Sequence, residues 1–172
     1  TPLAPRLAEI ESVCLRLSAV FNVVVGTANA HAWAPVNIEH VQFSLPIQAA
    51  LALLGWGNGY TVHRDYLAGR LDMGVVMALV RRIEIVVAPE LDERYPGKFV
   101  ADVEVRFRGG SVQRIFIEDP VGTDQNPMSE AAQDAKFLAL TDGVLGSRRA
   151  KDWLSALRRM DPSVKVGDLM AM

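Results

Sequence analysis

Three stretches of the chain alternate between hydrophobic and polar residues, and each predicts a half-buried β-strand. Between Glu9 and Ser18, the run IESVCLRLS sets Val13, Leu15 and Leu17 on one face and Ser12, Cys14 and Arg16 on the other. Farther along, DVEVRFR, within a strand expected from Phe99 to Arg108, and SVQRIFIE, holding one expected from Val112 to Glu118, alternate on either side of Gly109-Gly110. Glycine reaches the positive φ that tight hairpin turns need, so these two strands are expected to form a β-hairpin with its register fixed by the turn. A fourth strand is expected at the apolar run Ile83 to Val87.

Elsewhere the spacing turns helical. Leu45 to Trp56 holds almost no charge, with Pro46 suited to a first turn and Gly55 and Gly57 to a stop, which predicts a buried helix. A short amphipathic helix is expected over Val62 to Leu71, and Asp72 is placed to cap another from Met73 to Arg81. Three more are expected at Ser129 to Leu140, Arg148 to Met160 and Val164 to Met170. Their signals are Ser129 and Ser147 as N-cap residues, Asp161-Pro162 as a stop, and Phe137, Trp153, Leu154 and Leu157 as apolar faces. Phe21 to Val41 mixes a β-branched run with Gly26, Asn29, Pro35 and Asn37 and reads as an irregular excursion, with room for a short helix or strand. Strands in the middle and helices around them predict an α+β fold, an antiparallel sheet of about four strands with helices packed on it.

Composition narrows the class. At 172 residues, 50% hydrophobic and 22% charged, the chain fits a single α+β domain over 1-172 with one sizeable core. A net charge of -2 leaves no electrostatic footprint for nucleic acid or an anionic membrane, so neither is an expected partner. The basic pairs Arg81-Arg82, Arg148-Arg149 and Arg158-Arg159 sit near acidic residues and read as solvated helix ends. No apolar run reaches the roughly 18 residues of a membrane span, and TPLAPRLAEI lacks the pattern of a signal peptide. A single cysteine, Cys14, rules out an intrachain disulfide and suits a reducing cytoplasm. Because the chain opens on Thr1 rather than Met, a preceding segment is expected to have been removed.

Candidate chemistry is sparse. None of His31, His40 and His63 stands in a metal-binding spacing; His63 reads as an exposed residue at a helix start and His31 as a loop residue beside Trp33. His40 opens HVQFSLPIQAA, where His40, Gln42 and Ser44 gather beside the N-H donors of an apolar helix, a setting suited to a carboxylate. Simple capping by Ser44 explains the same residues. Cys14 reads as an inert thiol inside a strand, and the pairs Asp92-Glu93 and Glu118-Asp119 as loop charges. Asp124 and Asn126 suit backbone turns, and Lys136 a surface position on a helix. No nucleophile elbow, dinucleotide fingerprint or phosphate loop is present, and no cofactor is expected.

The stretch PVGTDQNPMSEAAQDAKF, together with FSLP and with DERYP ahead of the hairpin, resembles the MmgE/PrpD family over about Ile10 to Leu169. That family includes 2-methylcitrate dehydratases, cis-aconitate decarboxylases and iminodisuccinate epimerases. The resemblance implies the smaller, C-terminal α+β domain of such a protein, whose main partner is a large helical domain carrying most of the residues for metal-free proton transfer on di- and tricarboxylates. It also implies that the junction at Gln42, Phe43 and Ser44 lies near a shared cleft for a carboxylate substrate, and it leaves a homo-oligomer open. At Ile47 relatives often carry an aromatic residue, commonly Tyr, so a hydroxyl is missing here. A chain of this kind is expected to be inactive alone; a stand-alone oligomerisation or protein-binding module is the other expectation.

Overall fold

The computed structural model describes residues 4–159 and 165–171. It divides into two compact units, Thr1–Pro120 and Val121–Met172.

The first unit is built on a four-stranded sheet in the order β2-β1-β3-β4, with β1 Ile10–Leu17, β2 Ile83–Val87, β3 Ala101–Phe107 and β4 Val112–Ile117. The hairpin is as the alternation predicts: β3 and β4 are antiparallel from Ala101↔Ile117 to Arg106↔Val112. Gly110 sits at φ +79, and its N-H donates to the Phe107 carbonyl at 2.8 Å. β3 also runs antiparallel to β1, with a register shift between Ile10 and Ser12. The expected antiparallel sheet needs correction at the other side of β1, where β2 is parallel, Val13↔Ile83 through Leu17↔Val87. Parallel neighbours require a crossover, and here the chain between them folds into five helices. Alternation specifies which face of a strand is buried, not the direction of its neighbour.

Those helices are α1 Ala19–Val25, α2 Ile38–Gln42, α3 Leu45–Leu53, α4 Tyr60–Leu67 and α5 Met73–Val80. The irregular excursion thus contains two short helices. Each starts on a side-chain cap, Ser18 accepting from the Phe21 N-H and Asn37 from the His40 N-H. As predicted, Ser44 and Asp72 cap α3 and α5, accepting from the Ile47 and Val75 N-H groups. α4 starts and ends earlier than its spacing predicts, and the chain then turns at Gly69, φ +64.

The core lies between one face of the sheet and the helices. Val13 and Leu15 of β1, Val105 and Phe107 of β3 and Ile83 of β2 cluster with Ile47 and Leu51 of α3 and Val76 and Leu79 of α5. Full burial of each such side chain contributes about 1.5–3 kcal/mol. Arg6 lays its guanidinium over the Phe107 ring, 3.6 Å from the centroid, and so lends its stem and charge to the rim of this core.

In the second unit, α6 Glu130–Leu145 and α7 Ser147–Arg158 form a helical hairpin, followed by α8 Val166–Ala171. Ser129 caps α6 as predicted, accepting from the Ala132 N-H at 3.2 Å. Ser147 does not cap α7: the N-cap position falls on Gly146, at φ +79, which also closes α6. One glycine at a conformation open mainly to glycine therefore makes the whole helix-to-helix turn. The expected stop at Asp161-Pro162 lies outside the described residues. Arg158 fastens α7 to α6 through Asp134, Nη2 to Oδ1 2.6 Å, and through the Glu130 carbonyl at 3.1 Å.

Candidate functional site

The loop between α1 and α2 is tied down by an asparagine. Asn29 donates from Nδ2 to the carbonyls of Val24 at 2.8 Å and Phe43 at 3.2 Å, while its Oδ1 accepts from the His31 N-H at 2.9 Å. These bonds hold His31 against α2, where its ring stacks on that of His40 with 3.7 Å between centroids and 8° between planes. Asn37 fixes the other side: its Oδ1 accepts from the His40 N-H at 2.8 Å, and its Nδ2 lies 3.5 Å from His40 Nε2. His40 Nδ1 is buried without a hydrogen-bond partner among the described residues. Two imidazoles are thus fixed face to face at the entrance to α2, a pairing that the loop reading of His31 did not anticipate.

Ser44 and Gln42 take different places. Ser44 is fully buried, and its hydroxyl donates to the Ala32 carbonyl while accepting from the Ile47 N-H at 3.3 Å. Ile47 is also fully buried, so the start of α3 is closed rather than open to a ligand. The Gln42 side chain is exposed one position beyond the buried Val41.

The expectation for His63 is overturned. It lies inside α4, 5% exposed, with its Nε2 2.8 Å from Gln48 Nε2; the same Gln48 nitrogen donates to the Val41 carbonyl at 2.8 Å. α4 turns His63 and Tyr66, three residues apart, toward the interior, and that i, i+3 pair was the signal available in the sequence. Burial lowers the His63 pKa, which keeps the ring neutral. His63 Nδ1 has no hydrogen-bond partner among the described residues.

A second ionic feature escaped the sequence reading. Asp102, on β3, is 2% exposed, and its carboxylate accepts from Arg114 Nε at 2.9 Å, Arg114 Nη2 at 2.6 Å and Arg16 Nη1 at 3.1 Å. The hydrogen bonds from Arg114 hold the Asp102 carboxyl below its ordinary pKa against the opposing effect of burial, with the charges of both arginines assisting. Alternation puts Asp102 on the polar face of its strand, but only the sheet order brings Arg16 and Arg114 to either side of it.

The other candidates serve the fold. Cys14 is partly buried and its thiol pKa is raised, first by burial and then by the charges of Glu84 and Glu104, so it is held as the unreactive thiol. Glu118 pairs with Arg94, and Asp119 with Lys98 at 2.7 Å. In the signature loop, the Asn126 carbonyl accepts from the Gly122 N-H at 2.8 Å and the Asn126 N-H donates to Thr123 Oγ1 at 3.2 Å; Asp124 accepts from Gln125. Lys136 is exposed on α6. Arg82 is no solvated helix end, since its Nη1 donates to the Ile10 carbonyl at 2.9 Å. Among the described residues, no group of three or more His, Cys, Asp or Glu side chains is placed to hold a metal ion. No described helix is long and apolar enough to cross a membrane.

The family model of the MmgE/PrpD C-terminal domain matches residues 2–161 of this sequence. No curated protein matches it.

Proposed function

Because the chain belongs to the MmgE/PrpD family through its C-terminal domain, we propose that it is the small domain, as a fragment or a separately encoded subunit, of a lyase or isomerase acting on di- or tricarboxylates. The family match over residues 2–161 carries this reading. A large helical domain, supplied by another segment or another chain, faces it across a cleft and carries most of the proton-transfer groups. His40 and Gln42 contact a substrate carboxylate there, His31 steadies His40 by stacking, and Ser44 fixes the backbone turn that presents them. Proton removal beside a carboxylate needs a positioned base together with charge stabilisation. The His31–His40 junction offers imidazoles without a cation pairing, so the chain alone is inactive. With its single half-buried cysteine, it works in the cytoplasm.

Turnover of 2-methylcitrate, cis-aconitate and iminodisuccinate, measured with the chain alone and after mixing with a large helical domain of the family, tests this reading. Activity is expected only in the mixture; robust turnover by the chain alone sinks the proposed division of labour. A second reading, a non-catalytic module that self-associates, is favoured by α6, which buries none of its 16 residues while Leu140 is 47% and Val144 85% exposed. A stable dimer that ignores the large domain selects this second reading.

A further inference from the structure

A cleft of about 210 Å³ opens in the first unit beside the end of β1 and the start of β3, lined by residues that take no part in the His31–His40 junction. Leu17, Phe21, Val25, Leu45, Phe99 and Val103 supply most of its wall. Phe21 and Phe99 stand 5.8 Å apart, and Tyr95 meets each of them edge-on, at 5.5 and 5.9 Å, which fixes the aromatic side. Even so, Phe99 remains 45% exposed, an aromatic surface that its neighbours in the chain leave uncovered.

Two charged residues, Arg16 and Asp102, border this cleft, but alternation along β1 and β3 turns their side chains to the sheet face opposite Leu15 and Val103, where both are already engaged. Asp102 accepts from Arg16 and twice from Arg114, and the second terminal nitrogen of Arg16 donates to Glu90. No unpaired charge remains for an ionic ligand, and an ion entering would lose hydration against apolar walls without recompense. Volume sets the other limit: an apolar cavity of about 150 Å³ is enough to bind benzene.

We propose that this cleft is a binding site for a small, uncharged, apolar molecule between benzene and indole in size, distinct from the carboxylate junction. The ligand's body covers Phe99 and fills the space between α1 and β3, while the Arg16–Asp102–Arg114 group stays closed on itself.

Titration of the methyl-labelled full chain with indole, and separately with benzoate, tests the assignment by NMR. Indole is expected to shift the methyl signals of Leu17, Leu45 and Val103 saturably, with benzoate binding at least tenfold more weakly. Ala101→Trp and Val25→Phe fill the cleft from the β3 and α1 sides, and each is expected to weaken indole binding at least tenfold. Absence of saturable shifts with indole, equal binding of benzoate, or undiminished indole binding by a folded filling variant overturns the proposal. If neither variant folds, the comparison of indole with benzoate on the native chain decides.

Discussion

His63 of α4 and Gln48 of α3 meet with 2.8 Å between their Nε2 atoms, and the same Gln48 nitrogen reaches the Val41 carbonyl of α2. One amide thereby links three helices, with a neutral imidazole at its end. The next residue back along α2 is His40, so this buried link also underlies the candidate junction.

Its first consequence is a dependence of stability on pH. Burial lowers the His63 pKa, so as pH falls below the unfolded value of about 6.5 the unfolded chain takes up a proton that the folded chain refuses. Stability is expected to be full above about pH 6.5 and to decline as pH falls from there toward the folded value. Urea midpoints measured between pH 7.5 and 5.5 should fall for the native chain and much less for His63→Gln; equal slopes would show that His63 does not set the effect.

Asp102 predicts a second, more acidic transition. Its depressed carboxyl contributes stability above the unfolded pKa of about 3.9, and that contribution disappears as pH falls through the folded value. Asp102→Asn should cost about 1–3 kcal/mol, below the 3–5 typical of a broken buried pair because Arg114 is 55% exposed and keeps its hydration. Chemical denaturation at pH 7 checks the size of the loss.

Ser44 separates fold from chemistry. Ser44→Ala removes an N-cap and leaves the Ala32 carbonyl without this donor, so a loss of about 1–2 kcal/mol is expected. In the assembled enzyme of the proposed function, this variant should keep KM while His40→Ala raises it. A larger KM effect from Ser44→Ala would move the substrate contact to that hydroxyl.

Gly146 gives a test confined to the helical hairpin. At φ +79 and ψ 150, with nothing within 4 Å of an added Cβ, Gly146→Ala meets backbone strain and no clash. A loss of about 1–3 kcal/mol is expected in that unit alone, read as faster amide exchange in α6 and α7.

Much of this architecture was legible in residue order. Alternation located β1, β3 and β4, Gly109-Gly110 marked the hairpin, and Asp72, Ser44 and Ser129 announced their helices, because strand period and end capping act over two to four residues. Spelling was enough to indicate the family, which the match over residues 2–161 bears out. Tertiary structure alone decided the parallel pairing of β1 with β2, the burial of His63 against Gln48 and the stacking of His31 on His40. It also turned Asp102 from one of several strand acids into the partner of two arginines, one of them 86 positions away. In each case the determining neighbour lies on another element, and the free energy of pairing depends on which elements meet, which no local period records.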